Sequence, residues 1–309
     1  MLKLYYHLGF FIALGLAWRY VTPMGLSAGA MLRPILVLLY TILLPALTLS
    51  IMWKLPLTTT TLRIVLVMLI ATAIALAAAW FYFKSRKISP HSQAALILAA
   101  AFGNVLILGM PITQAVVAKW TVRGAVEFEV FVVLPLLFTA GVFIAQKLGE
   151  KTNEGPGIGL IKQPIIIMAL LGLLLNLAKV KMPGLVAVWI QMATVGIVPL
   201  GMLAMGFALQ WHKQWNDMLP YLVPVAVIQL VILPLALWGL FHVFGLSGPQ
   251  TYQSMILQAA MPSMLFGFLF CEKYKLDMAA YTAAFSFTTV VSIATTPLWL
   301  SLIQRGVLS

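Results

Sequence analysis

Long apolar stretches without charge run through this sequence, and they constrain its fold more than any other feature. The segment from Met218 to Cys271, for example, contains no Asp, Glu, Lys or Arg. A helix that crosses a membrane needs about 20 apolar residues, because the hydrocarbon core is roughly 30 Å thick and a helix rises about 1.5 Å per residue. With 62% hydrophobic and 8% charged residues among 309, the composition lies outside the soluble range. The chain is therefore predicted to be an all-α polytopic membrane protein.

Charge clusters and Gly/Pro turns divide the chain into ten candidate transmembrane helices. These spans cover approximately residues 4–20, 30–53, 62–83, 94–117, 126–147, 163–179, 185–210, 218–241, 251–271 and 279–303. No small-residue cleavage site follows the first span, so we expect it to be retained rather than removed as a signal peptide.

Lys and Arg are distributed unequally between alternate loops. If the N-terminus is outside, eleven of the 19 lie on the cytoplasmic side and eight outside, and the FKSRK cluster at residues 83–87 is cytoplasmic. The positive-inside rule therefore favours both termini outside. The net charge of +12 is scattered over the helix ends, so no single basic face could follow a nucleic acid. The lipid bilayer is the expected partner.

A segment rich in Gly, Pro and charge separates spans five and six. It predicts a cytoplasmic linker at residues 149–162, between a first five-helix repeat (1–148) and a second (163–309). Because five is odd, the two repeats would be inverted relative to each other. The sequence AAFGNVLI (100–107) aligns with AAMPSMLF (259–266) at a constant offset of 159.

Both aligned segments carry helix-breaking residues near the middle of a span. Gly103 and Asn104 interrupt span four, and Pro262 and Ser263 interrupt span nine. In lipid, a broken helix persists only where it faces protein or a water-filled cavity, and paired breaks in inverted halves indicate a transporter's binding site. We expect Asn104 and Ser263 to cap restarted helices whose N-termini favour an anion. Either break alone could instead be a packing kink.

The predicted functional residues lie at the two breaks and early in span five. The substrate-binding candidates are Gly103, Asn104, Gly109, Pro111, Gln258, Pro262, Ser263 and Thr289. A polar stripe of Thr288, Ser292 and Thr295 is assigned a supporting role in helix–helix hydrogen bonding. Glu127 and Glu129 are candidate gate or proton-coupling groups, with a solvated helix end as the alternative.

Nothing in the sequence indicates catalysis. The four histidines are dispersed, no metalloprotease or hydrolase motif occurs, and Cys271 is the one cysteine. We therefore expect no enzyme, no catalytic or metal site and no cofactor.

Several motifs resemble those of the auxin efflux carrier family of permeases, in the superfamily of bile acid, arsenite and riboflavin transporters. GNVLILGMPI (103–112) is similar to the family's G-N-x-G-x-x-G-x-P signature, although Leu106 stands where the family usually has a small residue. LPAL in span two fits as well. So does AAMPSMLFGFLFCEKYKLDMAAYTAAFSFTTVVSIATTPLWL (259–300), with its MP-[ST] break, acidic-x-Tyr loop and Ser/Thr-rich last span.

The resemblance implies ten transmembrane helices in two inverted five-helix repeats, with crossed, broken helices four and nine. It implies a mobile core against a scaffold of spans 1, 2, 6 and 7, often in a homodimer. The implied function is alternating-access transport of a small organic anion, a mono- or dicarboxylate, across a bacterial cytoplasmic membrane. The alternative is a receptor or regulatory subunit that keeps the fold without transport. Substrate identity, coupling ion and direction stay open.

Overall fold

The computed structural model describes residues 2–118, 121–151, 157–210, 215–246 and 249–304. Within these ranges the chain forms helices joined by turns, and its one β pairing is an isolated antiparallel bridge. The predicted all-α class is confirmed. Residues 152–156 of the predicted linker lie outside the described ranges.

Twelve helices serve as landmarks below. They are α1 (Leu2–Val21), α2 (Ala28–Trp53), α3 (Thr59–Lys84), α4 (Pro90–Ala101), α5 (Val105–Val116), α6 (Thr121–Leu148), α7 (Pro164–Leu177), α8 (Gly184–Ala208), α9 (Asp217–Val243), α10 (Pro249–Ala259), α11 (Gly267–Lys273) and α12 (Met278–Gln304).

Six of these helices are long and apolar enough to cross a membrane, in the part of the chain that the structure describes: α2, α3, α6, α8, α9 and α12. Shorter apolar helices occupy Leu8–Val21, Val105–Val116 and Pro164–Leu177. Each of the ten predicted ranges overlaps one helix, except that spans four and nine each overlap a pair. The multi-pass membrane character predicted from the apolar runs therefore agrees with the helices.

Prolines explain most of the local widening of these helices. Four π-helical turns, Leu39–Leu43, Val105–Gly109, Glu129–Val133 and Ile228–Ile232, each end two residues before a proline. A proline lacks the N–H that would close the α-helical bond, and its ring crowds the carbonyl four residues earlier. A wider turn relieves that clash and keeps the helix continuous. A fifth π turn, Leu137–Gly141, has no proline after it, and we have no physical account of it.

The described helices belong to two compact units. Unit 1 comprises Met1–Thr58 and Gly157–Leu209, and unit 2 comprises Thr59–Pro156 and Gln210–Ser309. Unit 1 therefore contains the helices of spans 1, 2, 6 and 7, the set that the resemblance groups as a scaffold. Each unit draws on both predicted repeats, and the division into repeats stays a prediction.

Unit 1 is held together by close approach of helix backbones. A Cβ added at Gly15 of α1 would lie 2.8 Å from the Cα of Gly206 in α8, and one added at Gly172 of α7 would lie 2.9 Å from the carbonyl oxygen of Leu49 in α2. Small residues permit such packing in membranes, where apolar surfaces gain nothing by leaving lipid. Side-chain donors also bind backbone carbonyls, as Arg19 Nη2 does at Phe207, 2.8 Å away.

Unit 2 contains the interrupted helices. Helix α4 contacts α3, α12 and α9, so the first interrupted span is enclosed on several sides. Residues 94–110 are all buried, and they comprise most of α4, the break and the start of α5. The interruption therefore faces protein rather than lipid, as an unpaired backbone requires.

Replacing Gly15 with Val should destabilise unit 1, because the added side chain would overlap the α8 backbone. We expect a loss of about 2 kcal/mol or more, measured as the shift in thermal unfolding in detergent. Gly9→Val is the matched control on the same helix, since no atom of the described residues lies within 4 Å of a Cβ placed there. Equal stability of the two variants would contradict the proposed packing.

Candidate functional site

The two interruptions face each other inside unit 2. Helix α4 ends at Ala101 and α5 begins at Val105, while α10 ends at Ala259 and α11 begins at Gly267. Gly103 and Ser263 form an antiparallel bridge between them. We call residues 102–104 and 262–264 the crossover.

Two backbone hydrogen bonds close the crossover. The N–H of Asn104 donates to the carbonyl of Pro262 at 2.7 Å, and the N–H of Met264 donates to the carbonyl of Phe102 at 2.9 Å. These bonds satisfy groups that neither broken helix can satisfy by itself. They pair Gly103 with Ser263.

Gly103 is required at the crossover for steric reasons. A Cβ at this position would lie 2.7 Å from Gln229 Nε2 and 3.2 Å from the carbonyl oxygen of Met261. The absence of a side chain therefore lets the second interrupted segment and a side chain from α9 reach the first one.

Hydroxyl groups bind the crossover to α12. Ser263 Oγ donates to the carbonyl of Ala99 at 2.7 Å and lies 3.0 Å from Thr288 Oγ1, which also accepts from the Ser263 N–H at 3.2 Å. Thr288, a member of the predicted polar stripe, therefore links α12 to the second break by a hydrogen bond. Thr289 is buried, but its hydroxyl donates within α12 to Phe285 at 2.7 Å.

The predicted N-caps are not formed. Asn104 does occupy the position before α5, and its carbonyl accepts from Gly109 at 3.0 Å, but its side chain makes no capping bond. Ser263 lies four residues before α11, whose N-cap position is Phe266. The prediction failed because Pro262 and the backbone pairing hold residues 262–264 extended, so the helix restarts later.

Two glutamine amides lie beside the crossover. Gln258 Nε2 donates to Thr113 Oγ1 at 3.0 Å, and Gln229 Nε2 donates to the carbonyl of Met261 at 2.9 Å. Both side chains are almost fully buried, and both Oε1 atoms lack a hydrogen-bond partner among the described residues. A buried amide oxygen without a partner is costly. These oxygens are therefore places where a bound donor, from water or from a ligand, would be stabilised.

Sequence reasoning missed Gln229. It is an amide in the middle of the uncharged span eight, and it sits in the π turn Ile228–Ile232. A buried polar residue within an apolar span was the available signal.

Gly109 and Pro111 shape the start of α5. A Cβ at Gly109 would collide with Gln258 Oε1, so this glycine makes room for the amide. Pro111 is buried in the first turn after the π turn Val105–Gly109. Six of the predicted binding residues are therefore at or against the crossover, namely Gly103, Asn104, Gly109, Gln258, Pro262 and Ser263.

The two glutamates of α6 are buried, in contrast to the alternative of a solvated helix end. Glu127 Oε1 accepts from Arg123 Nε at 2.6 Å, and Arg123 Nη2 also donates to Thr61 Oγ1 at 3.2 Å. Glu129 is 5% exposed and makes no hydrogen bond or ion pair with any described residue. The helix segment Thr121–Phe128, which contains Glu127, packs against α5 and α10, while the turn that begins at Glu129 packs against α3.

Two comparisons with known proteins each match a membrane transport protein or a transporter. A model of a family described as membrane transport protein matches residues 25–300. A protein of Methanothermobacter thermautotrophicus described as an uncharacterized transporter is 24% identical over 226 residues, which covers 72% of each chain.

The bond between Ser263 and Thr288 can be tested by a double-mutant cycle. We expect Ser263→Ala and Thr288→Val to be coupled by about 0.5–3 kcal/mol, because the two hydroxyls contact each other. The free energy of unfolding is measured by denaturation in mixed micelles. Thr282→Val is the control, since the Thr282 hydroxyl donates to its own helix at Met278. Additivity of Ser263→Ala with Thr288→Val would refute the contact.

Proposed function

Since the chain belongs to the auxin efflux carrier family of membrane transport proteins, we propose that it carries a small organic anion across the membrane by alternating access. The substrate binds at the crossover, and mono- or dicarboxylates are the proposed class. The protein performs no chemical step on its cargo. The proposed architecture is ten transmembrane helices in two inverted five-helix repeats, in a bacterial cytoplasmic membrane with both termini outside.

The meeting of the two breaks is the observation that carries this proposal. Interrupting two helices at one buried point removes regular hydrogen bonds, and a packed membrane protein gains no stability from it. Unit 2 brings both interruptions together through two backbone bonds. Two interrupted helices that meet in this way can bind a ligand at mid-membrane depth with backbone groups and neutral side chains.

The chemistry around the crossover supports an uncharged, hydrogen-bonding site. The side chains that bond there are neutral, namely Gln229, Gln258, Ser263, Thr113 and Thr288. The restarted helix α5 has first-turn N–H groups without intrahelical acceptors, and its positive dipole end favours an anion. The partnerless oxygens of the two glutamines would accept hydrogen bonds from a hydroxyl, a protonated carboxyl group or an accompanying water.

Uptake of radiolabelled carboxylates, malonate among them, into proteoliposomes tests this function. We expect saturable uptake that responds to an imposed potential or pH gradient. Asn104→Ala and Gln258→Leu should each lower kcat/KM about tenfold or more, as expected for a lost buried polar contact. Gln191→Leu, an exposed glutamine of α8, is the matched control and should transport normally.

The outcome also separates transport from the receptor alternative. Substrate binding without flux under any gradient, and without exchange, would favour a receptor that keeps the fold. Normal flux in both crossover variants would place the site elsewhere.

We further propose that Glu129 couples transport to protons. Helix α6 has 28 residues, so at about 1.5 Å per residue Glu129 lies about 12 Å from its start, which is about 6 Å inside a 30 Å hydrocarbon layer. A carboxylate that has no partner among the described residues is costly at that depth. The π turn that begins at Glu129 adds a local irregularity of the kind often found at functional sites.

Among the described residues, few charged or titratable side chains lie on the helix of Glu129 or on α3. On its own helix lie Arg123 and Glu127, which pair with each other. Helix α3 packs on the same turn and carries Arg63 near its start, while Tyr82 and Lys84 lie at the far end, roughly 30 Å along that helix. Arg123 is thus the nearest cation in sequence, and it is already engaged.

Glu129→Gln should remove the response of uptake to a pH gradient and preserve substrate exchange, because the amide mimics the protonated acid permanently. The measurement is uptake driven by an inward proton gradient compared with counterflow at equal pH. Glu150→Gln, at an exposed acid after α6, controls for charge. Gradient-driven uptake of normal size in Glu129→Gln would rule out this role.

A further inference from the structure

Two lysines share one tryptophan ring at one end of α3 and α6. Lys84 Nζ lies 5.9 Å from the centroid of Trp80, and Lys147 Nζ lies 5.5 Å from the same ring. Lys147 Nζ is also 5.5 Å from the Phe143 ring. Both lysines are at the C-terminal ends of their helices, so the two helices end at the same membrane boundary. Both ammonium groups therefore lie within 6 Å of the Trp80 ring centroid.

No acid among the described residues neutralises either ammonium. Both lysines are exposed, and neither forms an ion pair with any residue that the structure describes. Arg86 stacks on Tyr82 close by, with 4.3 Å from its guanidinium carbon to the ring centroid. Cations interleaved with aromatic rings are typical of the interfacial layer of a bilayer, where long side chains reach towards phosphate groups.

An apolar groove leads from these lysines into the membrane. It has a volume of about 300 Å³ and lies between α3 and α6. Its floor is formed by the small residues Ala73, Ala77 and Ala140, and aromatic side chains of Trp80, Phe81 and Phe143 line it nearer the lysines. Ala73, Ala77, Phe81 and Phe143 are exposed, so the groove is open, and its lining is almost entirely apolar.

We propose that this face of α3 and α6 binds an anionic phospholipid, with its phosphate between Lys84 and Lys147 and one acyl chain in the groove. The charge of the lysines favours an anionic headgroup, because a zwitterionic lipid brings no net negative charge to offset the two cations. The groove favours a lipid acyl chain over a soluble anion, because its apolar walls offer no hydrogen bonds. Apolar contact alone would not favour one lipid over another, because all lipid tails are as apolar as the groove.

The position of the two lysines agrees with an anionic phospholipid as the ligand. Lys84 begins the positive cluster that also includes Arg86 and Lys87, the strongest indication that this end is cytoplasmic. Anionic lipids give that leaflet its negative surface potential, which draws basic residues at the membrane boundary. A lipid held here would bridge α3 to α6, the helix that carries Glu127 and Glu129.

Native mass spectrometry of the full-length protein in a non-ionic detergent tests the site. The protein is mixed with equal amounts of phosphatidylglycerol and phosphatidylcholine of the same chains, and the fraction with each lipid bound is measured. We expect a preference for phosphatidylglycerol that falls on the order of tenfold in Lys84→Gln/Lys147→Gln. Ala77→Trp should weaken phosphatidylglycerol binding with both lysines intact, because it fills the groove.

The control is Lys87→Gln/Lys151→Gln, which removes the same charge from two exposed lysines near the same boundary. It should keep the preference. The proposal is overturned if wild type binds both lipids equally, if the first double variant keeps its preference, or if Ala77→Trp has no effect. Displacement of the lipid by sn-glycerol 3-phosphate would overturn it as well, since that result assigns the lysines to a soluble phosphate. Size-exclusion profiles confirm that each variant is folded.

Discussion

The hydrogen bonds between Asn104 and Pro262 and between Met264 and Phe102 are the interactions on which unit 2 depends. A membrane interior offers no water to an exposed peptide group, and each unpaired group there costs several kcal/mol. Two helices can be interrupted only if their free groups find partners. In this chain each interruption supplies partners for the other. The irregular backbone is thereby made stable at one point, where neutral polar side chains from α9, α10 and α12 also gather.

Glycine and proline act together at this point. Gly103 allows the segments to approach, and Gly109 leaves room for the Gln258 amide. Pro262 cannot donate a helical hydrogen bond, so it keeps the second segment extended and places its carbonyl where Asn104 can donate to it. The same property of proline produces π turns elsewhere in the chain, where the helix continues instead of breaking. The difference lies in whether a partner segment is present to satisfy the freed groups.

Much of the fold could be predicted from residue patterns because membrane solvation is a strong constraint. Each predicted range overlaps helix, and Gly103, Asn104 and Pro262 do mark the breaks. The details that failed depend on contacts between distant segments. The caps expected of Asn104 and Ser263 were wrong: the Asn104 side chain makes no capping bond, and the Ser263 hydroxyl bonds to Ala99 and Thr288 in an extended segment before the helix restarts. Gln229 was missed because its importance comes from reaching Met261 across the fold.

The sequence by itself determined that this chain lies in a membrane as apolar helices, and it located the two interruptions and the family to which they belong. Hydropathy and the stereochemistry of Gly and Pro are local properties, so they can be read from local sequence. Tertiary structure alone decided the pairing of Gly103 with Ser263, the burial of Glu127 and Glu129, and the meeting of Lys84 with Lys147 over Trp80. It also decided that the Oε1 atoms of Gln229 and Gln258 have no hydrogen-bond partner among the described residues. Each of these depends on distances between residues far apart in the chain, and such distances are fixed when helices pack.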